Sequence, residues 1–147
     1  MFPVRAEDQV IKIEQLVYHR GQDYRLELSR VIYSEKDEPF LVWRLYTLDG
    51  ELICKRTNTG TSYVPRPKNK RVAQFGSETT EKFRNQGFGY LVLQKAIDYL
   101  KLEGWYDEIH LATKEFNIPC QKMVTKANFK EVFSIRPYFK NYRMKLD

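Results

Sequence analysis

Cysteine is scarce in this 147-residue chain: Cys54 and Cys120 are the only two, they stand far apart, and neither belongs to a Cys-x-x-Cys pair. No disulfide framework can be drawn from them, and reduced thiols in a cytoplasmic setting are the simplest reading. Histidine is equally rare, with His19 and His110 alone. No cluster has the spacing of metal ligands, so no metal is expected. Seven Gly and six Pro are too few for collagen-like or low-complexity chains. No apolar run is long enough to cross a bilayer as a helix, so no membrane partner is expected. The first residues, Met1 to Asp8, turn charged at once and lack the apolar stretch of a signal peptide.

What is present suits a globular protein. Hydrophobic residues make up 42%, aromatics 14% and charged residues 30%, enough to build a core. The length fits one domain, residues 1–147. Lys and Arg number 25 against 19 Asp and Glu, a net +6. Such a balance suits an acidic small molecule, a phosphorylated cofactor or nucleic acid, and charge alone does not choose.

The first half reads as strands. Asp23 to Tyr33 alternates, with Tyr24, Leu26 and Leu28 on one face. Phe40 to Leu48 runs into Asp49-Gly50, a two-residue hairpin signal, and Glu51 to Lys55 returns. Val10 to Tyr18 fits both periods; a strand joined to the next through His19 to Gln22 is the reading adopted. Thr57 to Lys70, with Gly60, Pro65 and Pro67, reads as a loop. Lys55, Arg56, Arg66, Lys68, Lys70 and Arg71 occur there with no acid from Leu52 to Ser77. A solvated loop guarding a sheet edge is the first reading, and an anion-binding patch the second.

Arg71 to Thr80 returns to strand character. A turn then leads into a helix over Gly89 to Glu103, where Leu93, Ala96, Ile97 and Leu100 share a face and Gly104 ends it. Glu108 to Ala112 reads as a strand neighbouring Arg71 to Thr80. Pro119 opens a second helix to about Lys126. Val132-Phe133 and Tyr142 to Leu146 read as closing strands.

Chemistry concentrates where strand, glycine-rich turn and helix meet. Glycines at a helix start let the backbone approach a ligand, and the free N–H groups of the first turn converge on an anion. Arg84 adds a full charge. The turn is no Walker loop, since no Lys-Ser/Thr follows, and it does not fit the dinucleotide fingerprint.

Arg84-x-x-Gly87-x-Gly89 resembles the Arg/Gln-x-x-Gly-x-Gly/Ala signature of the GNAT superfamily of acyl-CoA N-acyltransferases. Asn117 to Phe129 is similar to that family's Asn-x-x-Ala-x-x-Leu-Tyr-x-Lys-x-Gly-Phe segment, with Asn117, Cys120, Met123, Lys126 and Phe129 in register. The resemblance spans about Arg71 to Leu146. It implies an α/β (α+β) fold whose mixed, mostly antiparallel sheet has a splayed strand pair and flanking helices, and an acetyl-CoA-dependent N-acetyltransferase. Main-chain groups of Glu78, Thr79 and Thr80 would then pair with the pantetheine arm. Arg84, Asn85, Gln86, Gly87, Phe88, Gly89 and Tyr90 would hold the pyrophosphate, and Asn117 would line the other side. The acceptor implied is a primary amine on a small molecule or a protein, and a homodimer is left open.

Departures from the family pattern are equally specific. The two helices usual between its first strands are replaced here by strands. The tyrosine often used as general acid falls at Val124, and the glycine before the last aromatic is Asn128. Glu78 is the leading candidate for a base and His110 the second, each also readable as a strand residue without chemistry. Cys120 lacks a histidine partner and reads as packing. His19 is given no role. Two other functions stay open: a GNAT-like domain that binds acyl-CoA or a partner without turnover, and a nucleic-acid binder using Lys55 to Arg71 with the aromatics from Phe133 to Tyr142.

Overall fold

Alternating apolar residues in the first half of the chain give an antiparallel meander. A computed structural model describes residues 9–33, 37–59, 68–134 and 136–146. Strands β1 (Gln9–His19) and β2 (Gln22–Ile32) form a hairpin. Arg20 and Gly21 close it at φ of 49° and 84°. The strand reading of Val10 to Tyr18 therefore holds. As an edge strand, β1 leaves Val10, Ile13 and Leu16 exposed and buries Val17, a distribution no single helical face would give.

Strands β3 (Phe40–Tyr46) and β4 (Leu52–Thr57) follow. Their connection differs from the expected two-residue hairpin. The Gly50 N–H donates to Thr47 O at 2.9 Å, so Leu48 and Asp49 are the central turn residues and Gly50, at φ 94°, follows them. A register irregularity at Leu45/Tyr46 absorbs the longer loop. The loop expected from Thr57 also starts later. Asn58 is buried and Thr59 bridges to Gln74. The Asn58 amide donates to Pro39 O (2.7 Å) and Tyr106 Oη and accepts from Leu41 N (3.0 Å). Gly60, Pro65, Arg66 and Pro67 lie outside the described residues.

The second half changes style. Strand β5 (Val72–Thr79) is antiparallel to β4 and parallel to β6 (Glu108–Lys114), with helix α1 (Phe88–Glu103) crossing between them. Helix α2 (Ile118–Lys126) leads to β7 (Lys130–Val132) and β8 (Phe139–Lys145). The single sheet has the order β1-β2-β3-β4-β5-β6-β8-β7, with β5 and β6 neighbours as expected.

Both helices lie on one face. The Trp43 ring meets Phe75 at 5.9 Å and Tyr99 of α1 at 6.0 Å, and Val92, Leu93, Ala96, Ile97 and Leu100 bury the inner stripe of α1. The opposite face carries a row set by strand register: Glu27, Arg44, Lys55 and Glu78 lie side by side across β2 to β5. Of the basic run read from the sequence, Lys68, Lys70 and Arg71 are exposed as a solvated segment would have them, and Arg56 alone among its described members turns inward. Arg56, two positions from buried Cys54, points to the helix side and is 1% exposed, while Arg71 stacks on Trp105 at 4.5 Å.

Candidate functional site

The parallel pairing of β5 and β6 is short. It covers Val72 to Phe75 against Glu108 to Leu111 and then stops. From there β5 pairs only with β4, through Gly76 to Thr79, and β6 only with β8, through Ala112 to Lys114. The two strands part into a fork whose inner edges expose main-chain donors and acceptors without ladder partners. It opens at the carboxyl ends of the parallel strands, where ligands of α/β sheets bind.

The chain leaving β5 turns at that opening. One 3-10 turn, Glu81–Phe83, leads to extended Arg84, Asn85 at φ 62° and Gly87 at φ 83°, the N-cap of α1. No side chain caps α1 and no acid sits in its first turn. The N–H groups of Phe88, Gly89 and Tyr90 thus lack intrahelical acceptors, and the helix end is positive. The Arg84 Nε–H donates to Thr79 O at 3.3 Å, holding an exposed guanidinium beside the same point. Gly87 needs to be glycine for its backbone. Gly89 needs it for space: a Cβ there would lie 3.3 Å from Met123 Sδ and 4.0 Å from Thr79 Oγ1, where α1, α2 and β5 converge.

The residues proposed from sequence take distinct positions. Thr79, Thr80, Arg84, Asn85, Gln86, Gly87, Gly89 and Tyr90 gather at the fork mouth. The side chain of Phe88 turns inward, 3% exposed, leaving only its main chain toward a ligand. Thr80 is tied twice to β4, its N–H donating to Ile53 O (2.8 Å) and its hydroxyl to Leu52 O (2.9 Å). Asn117 is the N-cap of α2, its Oδ1 accepting from Cys120 N at 3.1 Å. Tyr90 lies under the Lys126 ammonium, 4.3 Å from the ring centre, so the two helices are joined across the mouth.

Glu78 is exposed on β5, beside Lys55 and on the face without helices. His110 is buried within the paired segment, its Nε2 3.8 Å from Glu108 Oε1, whose other neighbour is Arg143 Nε at 3.5 Å. It stands below the fork. Val124 is 0% exposed, inside the core. Cys54 is buried too, and burial pushes its thiol up to about 11. Among the C-terminal aromatics, Phe133 and Tyr138 are exposed and Tyr142 is core. A groove of about 510 Å³ lined by Gln94, Asp98, Lys101, Arg143 and Lys145 lies away from the fork, between α1 and β8.

Sequence reasoning missed two residues. His19 Nε2 lies 2.7 Å from Gln86 O, and its ring packs on Phe88 at 4.9 Å. The β1–β2 hairpin thereby supports the glycine turn from 67 positions away, a distance at which no local signal exists. Arg56 was counted in a solvent-facing basic run, yet alternation along β4 with buried Cys54 was a signal that it points inward.

No protein-family model matches the chain, and no curated protein sequence matches it. Solved structures do. The GNAT domain of S. lividans PAT superposes with a TM-score of 0.67 over 90% of this chain and 97% of that one, at 14% identity. A GNAT-family acetyltransferase from Streptococcus pneumoniae gives 0.57 at 16% identity, covering 74% of this chain and 67% of that one. Spermidine N-acetyltransferase from Vibrio cholerae, solved with CoA and spermine, gives 0.59 at 16% identity, covering 73% and 66%. The chain thus spans about two thirds of the length of the last two. The eight-stranded mixed sheet, the forked parallel pair and the helix starting at the fork mouth are the architecture of the GNAT acetyltransferases, and this chain has that fold.

Proposed function

We propose that the chain acts as one GNAT-like domain, an N-acetyltransferase that moves an acetyl group from acetyl-CoA directly to a primary amine of a small molecule or protein, in the cytoplasm. The observation carrying this reading is the fork between β5 and β6 beside the uncapped start of α1. The residues present fit the cosubstrate. Free N–H groups of Phe88, Gly89 and Tyr90 with Arg84 suit a pyrophosphate, and the inner edge of Gly76 to Thr79 offers amide partners to an extended arm. The fold neighbour from Vibrio cholerae, solved with CoA, supports the same assignment.

Acetyl-CoA supplies the acyl group as a thioester. In transfer the acceptor nitrogen forms the amide bond, the C–S bond breaks with its electron pair on sulfur, and the amine proton leaves to a base. Glu78, exposed at the end of β5 beside the fork, would take that proton directly or through water. Val124 cannot donate a proton, which favours a second reading, a domain that binds acyl-CoA without turnover. Calorimetry with acetyl-CoA, CoA and ATP side by side tests the first step: the two CoA species should bind and ATP should not compete. Thiol release across an amine panel then separates enzyme from binder. Salt-sensitive binding to DNA or RNA without acetyl-CoA binding would replace both.

A further inference from the structure

Arg56 is the anomaly of this core. Its side chain is 1% exposed, yet among the described residues no carboxylate pairs with it, and its Nε and Nη1 have no hydrogen-bond partner. Its guanidinium carbon lies 5.3 Å from the centre of the Phe75 ring, on the last residue of β5 that still pairs with β6. The thiols of Cys120 on α2 and Cys54 on its own strand are the ionisable groups near it. The side chain therefore reaches from β4 over Phe75 of β5, on the helix side of the sheet where β5 parts from β6. A buried cation with unmet donors is costly, and such a group persists where a partner arrives from outside. Burial lowers its pKa only to about 10, so the guanidinium remains charged at neutral pH.

We propose that Arg56 receives the sulfur end of the acyl carrier, its free N–H groups donating to the thiolate that departs in acyl transfer. This rests on the reading of the fork as an acyl-CoA site. It gives the chain what Val124 cannot. A tyrosine protonates the leaving sulfur; a fixed guanidinium holds its negative charge instead, and the sulfur leaves as the anion. A cation close to a thiol also lowers its pKa, as for reactive cysteines beside arginine. The groups facing Arg56 are Cys120, Cys54, Phe75, Trp43 and Ser77, and none of them is a carboxylate.

The test is binding, not turnover. CoA and acetyl-CoA affinities are measured by calorimetry from about pH 6 to pH 9, a span bracketing the ordinary thiol pKa. CoA carries the titrating thiol and acetyl-CoA does not. With Arg56 in place, CoA should tighten about tenfold or more with rising pH relative to acetyl-CoA. Arg56→Met should bind acetyl-CoA, lose that rise and melt no lower than the wild type. Arg56→Lys should keep part of the rise. A Cys120→Ala background should leave it intact, because the titrating sulfur belongs to CoA. Flat profiles for both ligands, an unchanged rise in Arg56→Met, or loss of the rise on removing Cys120 would each overturn the assignment while leaving an acyl-CoA site standing. If Arg56→Met does not fold, Arg56→Lys alone decides, and a rise absent from the wild type refutes the proposal. Failure of both CoA species to bind at any pH would remove the acyl-CoA reading itself.

Discussion

The two halves of this sheet are built by different rules. From β1 to β4 each strand pairs with the next in antiparallel register, and tight turns join β1 to β2 and β3 to β4. From β5 onward a crossover joins β5 to β6, β6 pairs with the non-consecutive β8, and the β5–β6 pair separates after four residues. The first half satisfies its inner backbone groups by itself; the second leaves an unpaired stretch open at a helix N-terminus. Unsatisfied backbone at a helix N-terminus is suited to an anionic ligand, which is why the proposed site lies in the second half. The first half acts as a buttress, through His19 against Gln86 and through Arg56 reaching over Phe75 of β5.

The comparison can be broken most severely at Glu78. With an acceptor identified, Glu78→Gln should lower turnover by about 100-fold or more while leaving acetyl-CoA affinity nearly unchanged. Steady-state kinetics against a calorimetric Kd checks the split, and wild-type rates into the alkaline range would take Glu78 out of the mechanism.

Next in size is Cys54, where the halves meet: its Sγ lies 3.9 Å from Phe88 O. Its pKa is raised from 9.0 to about 11, chiefly by burial. A thiol with a raised folded pKa contributes its stability fully below the unfolded value and loses it as pH climbs from about 9 to 11. Denaturation curves should show a loss on the order of 2 kcal/mol over that window, and Cys54→Val should flatten it.

Val124→Tyr separates core from chemistry. The position is sealed, so the larger ring should cost about 1–3 kcal/mol by overpacking and should not raise turnover. A gain in rate without loss of stability would show that the position opens to the fork.

Gly89 is where α1, α2 and β5 converge, and Gly89→Trp should weaken acetyl-CoA at least about tenfold, roughly 1.4 kcal/mol. Unchanged affinity in a folded variant would make the turn purely structural. The smallest effect expected is His19→Ala, which removes one partly buried hydrogen bond worth about 1 kcal/mol and should loosen the turn rather than abolish binding. A thermal melt and an acetyl-CoA titration of the same sample measure both consequences.

Much of the second half was readable because its signals are local. The stripe on α1, Gly104 at its end (φ 73°) and Pro119 in the first turn of α2 were each visible in a few residues. The Asp49-Gly50 turn was located correctly but closed as a longer loop, since turn length depends on the register irregularity at Leu45/Tyr46. Arg56 was misjudged because a run of like charges was read for composition, whereas strand alternation decides which members face inward. His19 was beyond reach: its partner is chosen by the way β1 folds back over the turn, a long-range event that no window of sequence contains.

The central claim is that the open stretch of backbone between β5 and α1 is the ligand site. Amide hydrogen exchange with and without acetyl-CoA measures this directly. Protection should appear at Gly76 to Thr79 and at Phe88 to Tyr90, with β1 to β3 unchanged. Protection confined to the groove beside Arg143 and Lys145, or none at saturating ligand, would contradict it.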